Sequence, residues 1–338
     1  MLGRLTQSNA GGLVLLTAVS WFVYQAVGEG FLSSFNLFTL SQLAAQTAVI
    51  GFAQLVVIAI GRLNLAVGAV GLSVVMFTGW LVETVGVSPG LAVLAGLVLG
   101  AAMGAFMGWV ELRTGLHSFI VTLAIQSVYI GIVLIVSNGV SVTTLPSGIT
   151  DFGSKWLFVP ELSLLVVPAV AIAAALLYLF RRSSFGWKML AVGANEPAAE
   201  LSGVRVSRVV IGSFALSGLL AGVAGVMEMS RVAAALPSMG TDWLLPAFIV
   251  PILGGAFLTG GFVSISGAVM AAIFLESIAA GLVSLNVATY WQAFAEAIVL
   301  LVAVVADQAR RRRRQRIKTG GVLRAEVRRA EHDERAYA

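Results

Sequence analysis

From residue 11 to residue 306 the sequence is a succession of apolar stretches, each about as long as a membrane-crossing helix and joined by short links. A bilayer core of about 30 Å takes roughly 20 helical residues at 1.5 Å each. Spans are predicted near residues 11–28, 40–60, 65–85, 91–112, 119–137, 162–180, 209–229, 243–258, 263–283 and 290–306. Charge placement agrees: of 21 basic and 16 acidic residues, only 22 in all precede Arg310. That is too few to solvate a globular surface of this length. A soluble enzyme, a disordered chain and a nucleic-acid-binding domain are excluded. No run of short segments alternates apolar with polar residues, which argues against a β-barrel. The chain has no cysteine, hence no disulfide, thiolate metal site or cysteine nucleophile. The first span follows a weakly charged start holding only Arg4, and no small-residue cleavage site closes it, so it reads as a retained helix.

Lysine and arginine set the orientation. With the N-terminus inside and ten alternating spans, Arg4, Arg62, Arg113, Arg181, Arg182, Lys188, Arg205, Arg208 and the tail cations all face the cytoplasm. Only Lys155 and Arg231 fall outside. The expected fold is therefore an all-α polytopic membrane protein with both termini cytoplasmic. Residues 1–309 form the membrane domain and residues 310–338 a basic cytoplasmic tail. Arg310–Arg314 directly follows the last span, where it suits anionic lipid at the inner leaflet rather than nucleic acid.

Two glycine-rich breaks interrupt the apolar pattern. Residues 61–71 read GRLNLAVGAVG, and residues 252–268 read ILGGAFLTGGFVSISGA. Gly61, Gly68, Gly254, Gly255 and Gly261, with Pro246 and Pro251 in the eighth span, are candidate helix-break or hinge positions. The breaks share an orientation, which fits either a parallel internal repeat or tight turns with glycine-mediated packing. Gln54, Asn64, Thr122 and Gln126 are neutral polar groups suited to line a path for an uncharged hydroxylated solute, or equally to join helices. Glu276 and Glu296 are the deepest ionisable residues, with Glu228 and Asp307 near span ends. No acidic or histidine series accompanies them as a proton relay would require, and burial against a neighbouring Ser, Thr or Gln is the plainer reading. His117 and His332 are too scattered for a metal site. No hydrolase, zinc-protease or phosphate-loop motif occurs, so the chain lacks the usual means of hydrolysing ATP.

The most patterned polar segment is the cytoplasmic loop 185–209. Asn195 can cap a short helix, Pro197 suits its first turn, Ala198 to Leu201 are good formers, and Gly203 fits the left-handed residue that ends it. Such a helix at the cytoplasmic face is suited to docking.

At these residues the chain resembles the permease subunit of an ATP-binding-cassette importer, most closely the ribose-type branch, whose relatives include branched-chain amino-acid permeases. The resemblance rests on Gly186, Gly193, Asn195, Glu196, Ala198, Ala199, Ser202 and Gly203. It also rests on FIVTL at residues 119–123, and on Leu253, Gly254, Gly255, Gly261, Ser264 and Gly267. It covers about residues 54–307. Two positions depart from the branch: GRLNLAVG stands where it usually reads GGIDLSVG, placing Asn64 at an acidic site, and Pro246 occupies a second one. The resemblance implies that Gly193, Asn195, Glu196, Ala198, Ala199 and Gly203 belong to a coupling helix contacting a separate ATPase subunit. It implies no cofactor in this chain, ATP being bound by the partner. It further implies a second permease copy or paralogue, an extracytoplasmic solute-binding protein and a bacterial inner-membrane location. The solute would be a monosaccharide or similar small polar molecule, or alternatively an amino acid. An ion-coupled secondary transporter using Glu276 and Glu296 is the competing class. A membrane-embedded enzyme is disfavoured because no nucleophile and base can be paired.

Overall fold

The computed structural model describes residues 9–27 and 30–285, with isolated positions between 287 and 305. The tenth expected span lies largely outside the described residues, and Glu296, Asp307, Arg310–Arg314 and His332 lie wholly outside them. Among the described residues the chain is helical, with two isolated β-bridges, Val142 with Ala235 and Trp156 with Ser163. The helices are α1 (Asn9–Val27), α2 (Ser34–Ala59), α3 (Val67–Glu83), α4 (Pro89–Thr114), α5 (Ser118–Ser137) and α6 (Ser147–Ser154). They continue as α7 (Val166–Arg182), α8 (Ser184–Ala194), α9 (Glu196–Leu201), α10 (Val206–Val232), α11 (Leu244–Leu253) and α12 (Ile265–Ser284).

The centre of the molecule is α2. Ser33 caps it by accepting from the Asn36 N–H at 3.4 Å, and from Ala44 to Ala59 every residue is buried. A helix apolar on all sides is stable only when wrapped, and α10, α11, α12 and α7 pack around it. In contrast α4 and α5 bury little of their length. Their exposed Leu94, Val98, Ile132 and Ile135 form apolar outer faces of the kind lipid covers.

The most extensive helix-to-helix contact is that of α4 with α10, and a four-residue glycine repeat allows it. Gly96, Gly100, Gly104 and Gly108 fall on one helical stripe. A Cβ on Gly100 would stand 2.7 Å from the Gly218 carbonyl oxygen, and one on Gly104 would overlap that of Phe214. Small residues let the two backbones touch, which is how helices associate where hydrophobic burial gives no preference for one apolar surface over another.

Among the described residues, five helices are long and apolar enough to cross a bilayer: α2, α4, α5, α10 and α12. A sixth crossing results if α7 and α8, bent by 73° at Ser183, count as one. The apolar parts of α1, α3 and α11 are shorter. The helix at the eighth expected span is shorter than the apolar stretch suggests: α11 holds 10 residues, about 15 Å of rise. Pro251 removes a helix N–H from its last turn and Gly254–Gly255 turns the chain away. Two helices are absent from the sequence reading, α6 and α8. The latter starts where the Ser183 hydroxyl accepts from the Phe185 N–H at 3.1 Å, and it turns the supposed loop into a rigid lead-in to α9.

Candidate functional site

The site is built from three segments that meet at one end of the membrane domain: the α8–α9 corner, the α2–α3 break and the α11–α12 break. Asn195 is extended (φ −164°) and its Oδ1 accepts from the Ala198 N–H at 3.1 Å, starting α9. Pro197 occupies the first turn, where its missing N–H costs nothing. The helix closes with Gly203 at φ +82°, a left-handed residue with open space around it. Ala199 is buried, Asn195 and Ala198 are exposed, and the apolar Leu201 is 91% exposed.

Just before α9, a Cβ on Gly193 would overlap the Ala59 carbonyl oxygen and stand 2.5 Å from the Gly261 nitrogen. A Cβ on Gly260, at φ +86°, would stand 2.8 Å from both Gly193 Cα and Gly61 Cα, and the Gly261 N–H donates to the Ala59 carbonyl at 3.0 Å. The α8 terminus thus touches both helix breaks through bare backbone. Only glycine permits three chains to converge this closely.

The polar residues of the first break satisfy its unwound backbone. The Leu63 N–H donates to Ser118 Oγ and the Leu65 N–H to Thr122 Oγ1, both at 3.1 Å. Asn64 Oδ1 accepts from the Ala66 N–H at 2.9 Å, while its Nδ2 donates to Ser217 Oγ at 3.0 Å. The Gln54 amide, oriented to satisfy both groups, donates to the Asn64 carbonyl at 2.8 Å and accepts from its N–H at 3.3 Å. Gln54, Asn64 and Thr122 are fully buried here. In hydrocarbon every freed backbone group must find such a partner. Gln126, one turn further along α5, is not part of this group, and its Oε1 has no hydrogen-bond partner.

Over the break lies an ionic junction. Arg62 Nε donates to Glu111 on the last turn of α4, and its two terminal nitrogens reach the Glu196 carboxylate at 3.2 and 3.3 Å. Burial works against the Arg62 charge, but the hydrogen bonds it donates to Glu196 and Glu111 outweigh it and its pKa is raised. The guanidinium therefore stays charged and ties α9 to the α2–α3 break and to α4. A cavity of about 540 Å³ adjoins the junction, lined by Arg62, Glu111, His117, Asn195 and Glu196 among others.

The remaining sequence candidates lie elsewhere. Gly68 packs against the Gly240 backbone, and Gly254 against Gly267 and Ala268. Pro246 sits in the first turn of α11 and Pro251 within it. Glu276 projects from α12 and accepts from Thr47 Oγ1 at 2.6 Å, halfway along α2 from the junction. Among the described residues, no three His, Asp or Glu side chains are placed to hold a metal ion. Sequence reasoning missed Arg62, noted only as a cytoplasmic charge, and Glu111. The usable signal was a cation at the second position of GRLNLAVG, beside a break that otherwise holds apolar and neutral residues.

Residues 35–304 match the family described as branched-chain amino acid transport system / permease component. The chain is 32% identical over 306 residues to the ribose import permease protein of Escherichia coli (strain K12), covering 87% of this chain and 91% of that one. It is 32% identical over 290 residues to the ribose import permease protein of Bacillus subtilis (strain 168), covering 85% and 88%. To the L-arabinose ABC transporter permease protein of Azospirillum brasilense it is 31% identical over 313 residues, covering 92% and 91%. No solved structure matches it.

Proposed function

The chain belongs to the family of branched-chain amino acid transport system permease components, and from that premise we propose that it is the membrane subunit of an ATP-driven monosaccharide importer. The sugars in the names of its ribose and L-arabinose relatives support that substrate class. The proposal includes ten crossings, with α1, α3, α11 and the segment near residues 290–306 completing the six that length alone supports. Both termini and α9 are cytoplasmic, in the bacterial inner membrane. A separate ATPase docks on α9 and supplies ATP hydrolysis, so this chain carries no cofactor. A binding protein delivers solute at the far face, and a second permease, identical or paralogous, completes the path.

The observation that carries this reading is the contact of the α8–α9 corner with both helix breaks. The exposed Leu201 gives an ATPase an apolar hold, and any displacement of α9 pulls on Arg62 through Glu196 and on Ala59 and Gly260 through Gly193. A push at the surface thereby reaches the ends of α2, α3, α11 and α12 together, the kind of rigid-element switching that alternates access. The family description itself favours a second substrate class, branched-chain amino acids.

Purification of the tagged chain from its own membrane, followed by reconstitution with and without the ATPase it brings down, tests the proposal. The expected result is ATP-dependent accumulation of a pentose or hexose only with the ATPase present. Accumulation by the chain alone, driven by an ion gradient, would overturn it, and accumulation of leucine but no sugar would move the substrate class.

A further inference from the structure

A second polar cavity, of about 420 Å³, lies between α2, α10, α11 and α12 at the end of the domain away from α9. It reaches along α2 as far as Ile50, 11 residues before Gly61, or about 16 Å along the helix axis. The wall is apolar helix, yet Glu228 and Arg231 of α10 and Glu276 of α12 converge in it, with Asp242 exposed at its edge. Intramembrane charges of this kind are costly and mark function more often than packing.

The hydrogen bonding within the cavity is incomplete. Gln46 is 5% exposed, lines the cavity, and its Oε1 has no partner. Glu228 Oε2 and Arg231 Nε are buried and likewise unpartnered, and Arg231 approaches Glu228 only to 3.9 Å. By contrast Glu276 is held in place by Thr47. Buried polar atoms left open are scarce in folded proteins because each forfeits its contact with water. All three belong to residues that line this one cavity, two acceptors and one donor left open for an outside molecule.

We propose that this cavity is a solute-binding vestibule within the permease itself, taking a neutral polyhydroxylated molecule of monosaccharide size through Gln46, Glu228, Arg231 and Glu276. Hydroxyl groups both donate and accept, so they can satisfy the Gln46 and Glu228 oxygens and the Arg231 N–H at once. The single arginine is surrounded by three acidic side chains, so the cavity holds no net positive charge to draw an anion. Leu43, Ala279 and Val283 beside them offer apolar surface to the C–H face of a sugar. The volume falls within the roughly 300–1,000 Å³ of small-molecule sites. The inference rests on the importer reading and adds that the permease selects its solute as well as passing it.

The test is uptake kinetics in the reconstituted transporter with radiolabelled D-ribose, L-arabinose and leucine, for the natural chain, Gln46→Leu and Glu276→Gln. Both replacements keep size, and retention of the ATPase subunit on purification reports folding independently. The expected result is a rise in KM for the transported sugar of about tenfold in Gln46→Leu, the usual worth of one buried hydrogen bond, with maximal rate changed far less. Glu276→Gln should change which of the two sugars is preferred. Sugar uptake with the KM and preference of the natural chain in both variants overturns the vestibule and leaves the importer reading standing. Uptake of leucine alone overturns both.

Discussion

Glu196 shows how one residue can be half-exposed and still sit at a mechanical junction. The local sequence places its carboxylate at the start of a short helix, where it complements the positive helix end. It gives no sign that Arg62, 134 positions earlier, forks onto it. The two links from Arg62 differ in kind. Glu111 is 6% exposed, whereas the Glu196 side chain is 44% exposed. An exposed pair is worth under about 1 kcal/mol, while a buried carboxylate stripped of its cation costs about 3–5 kcal/mol. Glu196→Gln should therefore shift the melting temperature by no more than about 4 °C while lowering solute-stimulated ATPase activity several-fold. Arg62→Ala should melt clearly earlier, and adding Glu111→Gln should restore most of the loss, because it removes the stranded charge. Thermal melts of these three variants and the natural chain, beside ATPase assays, decide the matter. A large melting shift in Glu196→Gln with normal stimulation would make the residue a stability element instead.

At the scale of elements, what was legible was local. The Asn195 cap and the left-handed Gly203 were readable because a cap needs only the next three residues and a helix stop only its own φ. The start of α8 at Ser183 was as local, but the arginines before it and the apolar run after it concealed the boundary. The convergence of Gly193 with Gly61 and Gly260 was not legible, since it depends on three segments far apart in the chain. The structure now separates the two glycines of the corner. Gly193→Ala would drive a methyl group into the Ala59 carbonyl, whereas Gly203→Val meets open space and carries only left-handed strain of about 1–2 kcal/mol. Gly193→Ala should thus abolish transport and lower the yield of ATPase-bound complex. Gly203→Val should keep the complex but reduce transport partially. Equal effects of the two on complex yield would remove Gly193 from the junction.

Across the whole molecule, the apolar pattern located helices at the first nine expected positions but could not say which pack together, because apolar faces towards lipid and towards protein read alike. Nor could it gather Gln46, Glu228, Arg231 and Glu276 into one cavity, since no spacing rule links them. What it does propose is a polarity for the two ends. Arg62, Arg113, Arg181, Arg182, Lys188, Arg205 and Arg208 lie at the α9 end, and Lys155 and Arg231 at the other. Positive charge is retained on the cytoplasmic side, so α10 is expected to run outward from Arg205 to Arg231. The absence of cysteine makes this directly testable. Leu201→Cys and Ser238→Cys, both at exposed positions on either side of α10, each place a single thiol in the chain. A membrane-impermeant maleimide should label Ser238→Cys in intact spheroplasts and Leu201→Cys only in inverted vesicles. Stripping the ATPase from those vesicles should increase the Leu201→Cys signal, because docking covers that side chain. Labelling of both from one side would mean that α10 does not cross, and the topology would have to be redrawn. Leu201→Cys labelling that ignores the ATPase would instead move the docking surface off α9.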